Sequence, residues 1–565
     1  MDAAITEDLV FVPHGARQVE PGATGMRLVV TASSAGTIFE WYDFFIYGTL
    51  ASIVGKTFFP AGNPTLQVLL VWAGFAAGFG FRPLGAILFG YLGDRFGRKY
   101  TFLATVTLMG IATAGMGVIP SAASIGIAAP IIVVSLRILQ GLAVGGEFGG
   151  ALIYVAEHSP VHKRGSFTSI IQAAGLGGFV LSLVVVLACK AVMPDVTWAG
   201  WGWRVPFLLS FGLLGVSLWM RLKLSESPVF QAMKEEGRLA KNPFVESFTY
   251  PGNGKRLFIA LFGIAAGMNV IIYTAGFFSL NFLKSTMRMS DTAAEIIVGV
   301  SAVVGIAFYI LFGRLSDRIG RKPLIVWGYA LTLVLLFPIF WTIGSYANPG
   351  MAEAARKAPI VVTGPDCSYS PFSSEQPTRC GKMLADLSGS GVAFKHVQGA
   401  DLVVSVGGKP IPLDSYNWYD RTARGQQLQA WLRNAGYHLA KVKPSLKNSL
   451  AIIAAMLLLF ALVGAIFGPV AALLTEMFPA RIRYSSLSIP YHIGAGYFGG
   501  FLPLIAAYIV ARTGDPYAGL WYTWIVVALA LPVALWGLES GVARPDVGGE
   551  TANRRPNLDP SPSLS

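Results

Sequence analysis

Residues 90–99 read GYLGDRFGRK, and residues 313–322 read GRLSDRIGRK. Seven of the ten positions are identical, at an offset of 313 − 90 = 223 residues. A basic, glycine-punctuated turn repeated at that distance points to a chain built from two similar halves. A weaker second pair measures the halves. Glu157, Pro160 and Arg164 form an E-x-x-P-x-x-x-R pattern that Glu476, Pro479 and Arg483 repeat, at an offset of 476 − 157 = 319. The offsets differ by 319 − 223 = 96 residues, so about 96 residues are inserted between 322 and 476. The one long polar stretch in that interval is 345–447.

Outward from these turns the chain is apolar. Of 565 residues, 54% are hydrophobic and only 13% are charged, against about 25% charged in soluble domains. Such a composition cannot give a protein of this length a polar skin. It excludes a cytosolic enzyme, a disordered protein and a disulfide scaffold, and leaves a multi-pass membrane protein. The 65 glycines and 33 prolines fit that class, since both are commoner in transmembrane helices than in soluble ones. A spanning helix needs about 20 mostly apolar residues. Twelve runs qualify: 28–54, 67–92, 100–120, 126–154, 167–190, 204–222, 257–283, 292–313, 323–344, 448–474, 485–511 and 517–538. The runs are continuous rather than alternating, which argues against a β-barrel.

The expected fold is therefore an all-α polytopic membrane protein, with twelve transmembrane helices in two six-helix pseudo-repeats and a small α/β insertion between helices nine and ten. The expected divisions are a tail at 1–25, a first half at 26–223, a linker at 224–256, helices seven to nine at 257–344, the insertion at 345–447, helices ten to twelve at 448–538 and a disordered tail at 539–565. Within the insertion, 359–363 and 402–406 read as strands, and 424–437 as a helix.

The net charge of +13 is an orientation signal rather than a nucleic-acid footprint, because the basic residues recur in short clusters between apolar runs. With both termini inside, the inner loops hold eighteen lysines and arginines and the short outer loops hold six. Positive charges gather on the cytoplasmic side. The predicted location is thus a bacterial inner membrane, with cytoplasmic termini and an extracytoplasmic insertion. That side is oxidising, so Cys367 and Cys380, two of the three cysteines, are a candidate disulfide.

The repeated turns and their neighbours form a candidate inner gate: Gly90, Asp94, Arg95, Gly97, Arg98, Glu157, Arg164, Glu226, Gly313, Asp317, Arg318, Gly320, Arg321, Glu476 and Arg483. Glycine permits sharp turns and close helix approach, and arginine offers a forked donor set that lysine lacks. Acids on the same side can pair with those forks when the gate is shut. Positive-inside anchoring explains the basic residues alone, but leaves the repeated acid and glycines unexplained.

Charged groups inside a membrane are costly unless paired or hydrated, and by default mark function. At about 1.5 Å per residue, Glu40 on helix one and Arg82 on helix two lie at a similar depth, where they could pair. Asp43 lies about one turn further out. Arg137 occupies the outer half of helix four. Glu40, Asp43, Arg137 and His492 are the proton-coupling candidates, with Arg82 and Arg137 as counter-charges or anchors for an anion. The competing reading is a static ion pair that fixes helix packing. Tyr42, Tyr47, Gln140, Gln172, Asn269, Tyr273 and Tyr491 are further candidate substrate contacts, or packing residues like most polar groups on membrane helices.

At this point the motifs become specific. The two turns resemble the inner-loop motif of the major facilitator superfamily. Arg137-x-x-Gln140-Gly141-x-x-x-Gly145-Gly146-Glu147 resembles its fourth-helix motif. The segment Phe39–Gly48 on helix one, and Ala156-Glu157-His158-Ser159-Pro160 followed by Lys163-Arg164-Gly165, are similar to those of the metabolite:proton symporters within it. Glu226-Ser227-Pro228 is similar to a segment of the sugar porters. The resemblance covers all the helices but not the insertion. It implies proton-coupled symport of a small organic acid by alternating access, or of a zwitterion such as proline or betaine. It implies no cofactor, a monomer, and a small molecule, protons and lipid as the partners.

Other classes find little support. There is no G-x-x-x-x-G-K-[ST] loop for an ATP-driven pump, and no H-E-x-x-H or C-x-x-C metal pattern. Nothing marks an enzyme: the insertion contains serines, aspartates and His396 but no recognisable nucleophile–base set. A membrane sensor that binds a ligand through the insertion is the alternative from another class. Intact gate motifs in both halves speak against it.

Overall fold

The computed structural model describes residues 23–60, 64–96, 98–146, 148–222, 243–479 and 482–539. Long helices dominate it. In chain order the principal ones are α1 (Ala23–Thr49), α2 (Pro64–Phe89), α3 (Arg98–Val118), α4 (Ala128–Gly145), α5 (Val161–Val192), α6 (Gly202–Trp219), α7 (Asn253–Thr286), α8 (Asp291–Ile319), α9 (Arg321–Ala347), α10 (Leu446–Met477), α11 (Arg483–Thr513) and α12 (Leu520–Gly537). Among the described residues, ten of these are long and apolar enough to cross a membrane; α1 and α3 are not in that set, the apolar part of α3 running only over Leu103–Val118.

The halves meet along two seams, where α5 packs on α8 and α10, and α2 packs on α11. Aliphatic and aromatic side chains from both halves merge into one buried cluster. Many of the remaining large apolar residues face outward, among them Trp327, Val334, Trp341 and Leu529. An apolar outer surface is stable only against lipid.

Two helices leave regular α geometry along part of their length. In α7, Ile259–Ala265, Thr274–Phe278 and Phe282–Thr286 are π-helical, and in α11 so is Gly494–Gly500. Such widened turns commonly sit at functional sites.

Between α9 and α10 lies a compact α/β unit. Strands β1 (Ile360–Gly364), β2 (Phe394–Gln398), β3 (Val403–Val406) and β4 (Lys409–Pro410) form one sheet in the order β2-β1-β3-β4. β1 and β2 run parallel, with Val362 opposite His396, and the helix Arg379–Gly389 crosses between them. β3 pairs antiparallel with β1. Ile360 and Val362 alternate inward against Met383, Leu387, Leu428 and Leu432, the period of two expected of a strand with one covered face. Inside this unit Arg424 Nε donates to Asp386 Oδ2 at 2.7 Å, and the Tyr416 hydroxyl donates to the same oxygen at 3.1 Å. Burial and the nearby carboxylate raise Tyr416 above the usual phenol range.

Cys367 and Cys380 are bridged, with their Cα atoms 4.7 Å apart and a sequence separation of 13. A loop of that size gains about 3 kcal/mol from closure in the chain-entropy model. Cys367→Ser with Cys380→Ser is therefore expected to lower the unfolding midpoint of the insertion and speed its proteolysis, leaving the helical bundle unaffected; differential proteolysis followed by mass spectrometry checks this.

Candidate functional site

Arg82 lies where α2 is interrupted. Phe81 is a turn residue, and the next helical segment opens at Arg82, followed by Pro83, which has no N–H to give. The backbone carbonyl of Arg82 sits 2 Å from where a Cβ on Gly145 would project, so only glycine lets α4 approach this closely. The kink and the close approach together fix the Arg82 side chain in the interior.

Its guanidinium is fully buried, and none of Nε, Nη1 and Nη2 has a hydrogen-bond partner. It lies over aromatic faces instead: Cζ is 5.3 Å from the Trp41 ring centroid, 5.8 Å from Phe44 and 5.0 Å from Phe79. Tyr273, Tyr491 and His492 are within its electrostatic reach. Cation–π contacts are worth about 0.5–2 kcal/mol, far less than the cost of burying an unpaired ion. The expectation that Arg82 pairs with Glu40 or Asp43 is thus corrected. With the arginine at a kink ringed by aromatics, neither carboxylate bonds to it.

Arg137 is held differently. It is also fully buried. Nη1 donates to the Phe44 carbonyl at 3.2 Å and to Gln140 Oε1 at 2.6 Å, while Nε and Nη2 have no partner. The guanidinium lies 4.3 Å from the Phe44 ring and 4.6 Å from Tyr47. Gln140 Nε2 donates to Thr113 Oγ1 at 2.6 Å. Asp43 is 5% exposed and its Oδ1 has no partner; the two ring nitrogens of the fully buried His492 have none either. Glu40 is half-buried.

A cavity of about 50 Å³ lies between the halves, lined by Trp41, Phe45, Gln172, Gly175, Leu176, Phe179, Asn269, Ile272, Tyr273, Gly276, Phe277, Tyr309, Phe467 and Tyr491. Gln172, Asn269, Tyr273 and Tyr491 come together here. Tyr42, Tyr47 and Gln140 do not: the Tyr42 hydroxyl donates to the Pro206 carbonyl at 2.6 Å, Tyr47 to the Val71 carbonyl at 3.1 Å, and Gln140 is taken up by Arg137 and Thr113. Each is spent on helix packing, the commoner fate of polar side chains in a bundle. Sequence reading missed Phe45, Phe179, Phe277 and Phe467, since apolar aromatics in an apolar helix carry no signal of what they face. Phe277 is tied to Phe45, Phe75 and Phe179 at 5.1–5.2 Å between centroids.

Such a volume holds only three or four waters, at about 10–15 Å³ each, whereas ligand sites usually span about 300–1,000 Å³. The cavity is narrow, and ion pairs and capping bonds hold the two halves together at both ends of the bundle. At the end bearing the repeated turns, Asp317 caps the start of the long α5 helix: it accepts from Gly165 N at 2.9 Å, Ser166 N at 2.8 Å and Ser166 Oγ at 2.7 Å. Arg321 reaches Asp317 at 3.0 Å and Glu476 at 3.2 Å, and Arg483 reaches Glu157 at 3.0 Å. Arg164 Nε donates to the Ala156 carbonyl. Gly313 and Gly165 lie against one another at the α5–α8 crossing. Gly320 has φ of 92°, a left-handed conformation that explains the glycine in the repeated turn. Arg318 faces outward. Gly90, Asp94, Arg95 and Arg98 lie on described backbone, but their side chains, together with Gly97 and Glu226, fall outside the described residues.

At the opposite end the two halves are joined by Glu295, which is 2% exposed at its side chain and meets Lys190 at 2.8 Å and Lys284 at 2.7 Å. Lys190 belongs to the first half and Glu295 to the second. An acid one turn into an apolar helix was a visible signal, but lying next to basic residues at a helix end it reads as an interfacial anchor.

A family model described as "Sugar (and other) transporter" matches residues 28–251. The chain is 35% identical over 321 residues to the shikimate transporter of Escherichia coli, covering 56% of this chain and 72% of that protein. It is 35% identical over 327 residues to the proline/betaine transporter of Salmonella typhimurium, covering 57% of this chain and 65% of that one. The match thus spans less than two thirds of that relative's length. Among solved structures, a D-xylose–proton symporter superposes with a TM-score of 0.56 at 18% identity, over 91% of this chain and 97% of that one; at that identity the likeness is one of fold.

Proposed function

The chain belongs to the major facilitator superfamily, whose members are transporters and not enzymes, and from that premise we propose a secondary active transporter that moves a small organic acid together with protons by alternating access. The observation that carries the reading is Arg82: a buried guanidinium with three unpartnered nitrogens beside a cavity that shares Trp41, Tyr273 and Tyr491 with its surroundings. A carboxylate is the ligand that satisfies such a fork, through paired N–H···O bonds. Substrate carboxylate and arginine then neutralise each other in a site from which water is shut out. The substrate supplies the partner that the protein withholds.

A second reading has its own support. Eight of the fourteen residues around the cavity are aromatic, and aromatic faces hold quaternary or secondary ammonium groups. A zwitterion would place its carboxylate on Arg82 and its cationic end against these rings, and one similar protein is named for proline and betaine. Both readings share the carboxylate anchor.

Protons enter through Glu40 and Asp43, with Arg137 and His492 as further coupling residues. A carboxylate in a closing site gains and loses water as the halves rock, so its charge state follows the cycle. We place the turn-bearing end in the cytoplasm and the insertion outside, in a bacterial inner membrane, because of the eighteen-to-six asymmetry of basic loop residues. The chain then shuts its inner gate through Asp317, Glu157 and Glu476, and its outer one through Glu295.

The test is uptake into proteoliposomes of labelled mono-, di- and tricarboxylates, proline and betaine, with and without an imposed proton gradient. Gradient-stimulated accumulation of a carboxylate or zwitterion is expected. Accumulation of neutral sugars in preference to all of these would overturn the reading. Glu40→Gln and Asp43→Asn are expected to lower gradient-driven accumulation by roughly ten- to a hundredfold, the usual span of coupling between two sites, while leaving substrate exchange measurable. Undiminished accumulation in both variants refutes their role.

A further inference from the structure

The α/β insertion is fastened to the second half of the bundle at many points. Arg288, between α7 and α8, donates through Nε to the Ser390 carbonyl at 3.0 Å and through Nη1 to the Leu439 carbonyl. Ser290 N and the Val442 carbonyl pair at 2.9 Å, as do Val442 N and the Arg288 carbonyl. Lys441 meets Asp291 at the start of α8 at 2.6 Å. Phe394 N donates to the Gly514 carbonyl at the end of α11 at 3.1 Å, and Phe372 stacks on Tyr508 with centroids 5.6 Å apart. Arg288 itself has φ of 51°, the one non-glycine residue with positive φ among those described. A side chain held there is strained and persists only where surrounding contacts enforce it. The clasp on its guanidinium supplies them.

Among the described residues, its contact with the first half is at the start of α2, where Thr65 faces Ser388 and Tyr369. Ser388 Oγ lies 3.4 Å from Thr65 Oγ1, and the backbone of Gly389 lies against the Pro64 ring, at the first residues of α2. So three consecutive residues divide their contacts between the halves: Ser388 and Gly389 touch the first, Ser390 the second. The position is the end of the bundle that Glu295 also closes.

We propose that the insertion is a lid on that end of the transport path: it rides rigidly with the second half and closes on the start of α2, so that opening this side requires the Thr65–Ser388 contact to part. The inference rests on the transport reading given above. It gives the 96-residue insertion a mechanical task in the cycle, without requiring that it bind a ligand itself. An ordered clasp on one half with a small, polar, water-replaceable contact on the other is what a reversible closure needs. A permanent cross-brace would bury apolar area on both sides.

The test is a reversible cross-link. In Thr65→Cys/Ser388→Cys, the new sulfurs replace oxygens already in contact, within reach of a disulfide after a small side-chain rotation. The full-length variant is reconstituted, oxidised, and assayed for uptake before and after dithiothreitol, with wild type and both single variants given the same treatment. The expected result is a loss of uptake of at least roughly tenfold on cross-linking, with return to the reduced variant's rate on reduction. Uptake by the cross-linked variant equal to that of the reduced one would overturn the lid. A wild type inactive under all conditions would count against the transport reading instead. A reduced variant that transports normally shows that it has folded.

Discussion

Arg82→Gln is expected to abolish uptake without unfolding the protein. In the closed structure the arginine has no hydrogen-bonded partner to lose, so the neutral residue removes an uncompensated buried charge. Replacing buried charge with neutral groups of similar volume is often neutral or stabilising, by up to about 1–4 kcal/mol. Arg82→Gln and Arg82→Met should therefore unfold at the same temperature as the parent protein or higher. The bound carboxylate, by contrast, loses its counter-ion in a water-free site. Removing one member of a buried charge pair costs about 3–5 kcal/mol, which is a fall in binding of roughly 150- to 5,000-fold. Arg82→Lys should recover only part of it, because an ammonium cannot make the forked contact. A structural arginine predicts the reverse pattern, with stability and uptake lost together. Thermal unfolding in detergent, measured beside uptake in vesicles, separates the two.

Asp317→Ala is expected to release the end of the bundle that carries the repeated turns. Its carboxylate accepts three hydrogen bonds from the start of α5, across the boundary between the halves. Bonds to a charged acceptor contribute about 1.5–3 kcal/mol each, and water recovers part of that when the end opens. A net loss of about 2–4 kcal/mol moves the open-to-closed ratio at this end by roughly 30- to 1,000-fold. Spin labels at His162 and Arg314, both exposed near the latch, should report a longer distance distribution in the variant than in the parent. Uptake should fall as well, since a carrier resting open to one side returns slowly to the other. Asp317→Asn keeps the shape but weakens every bond, and should lie between the two. An unchanged distribution in Asp317→Ala would mean that the latch does not hold the gate.

Much of this architecture was legible in the chain because membranes impose strong rules. Apolar runs of the right length and a charge asymmetry between loops need no tertiary information. The repeated turn announced both the duplication and, through Gly320, the left-handed residue it requires. The charged cluster was legible as a list: Glu157, Asp317, Arg321, Glu476 and Arg483 do converge, because the repeat puts equivalent residues from each half onto one face. The partner that matters most to Asp317 was not legible. Two backbone N–H groups and a serine hydroxyl at the start of α5 carry no distinctive spacing. Inside the bundle, residue types and depths were legible but azimuth was not. Tyr42, Tyr47 and Gln140 have the right chemistry and depth for a substrate contact, yet their hydroxyl and amide groups turn to neighbouring helices. Arg82 and Glu40 share a level, but the kink before Pro83 points the guanidinium into aromatic rings. The π-helical turns in α7 and α11 were invisible for a similar reason, since they come from how Gly276 and Gly494–Gly500 meet the packed interior rather than from a local pattern.

Alternating access coupled to protons, with Arg82 as the carboxylate anchor, makes one claim that a single trace can decide. Proteoliposomes loaded with a pH-sensitive dye are given substrate without any imposed gradient, and the lumenal pH is followed. The parent protein should acidify the lumen on addition of its carboxylate or zwitterionic substrate, at an initial rate proportional to labelled uptake, and Arg82→Gln should give neither signal. Labelled substrate entering the parent's vesicles while lumenal pH stays flat, or equal acidification by the Arg82→Gln variant, would contradict the account.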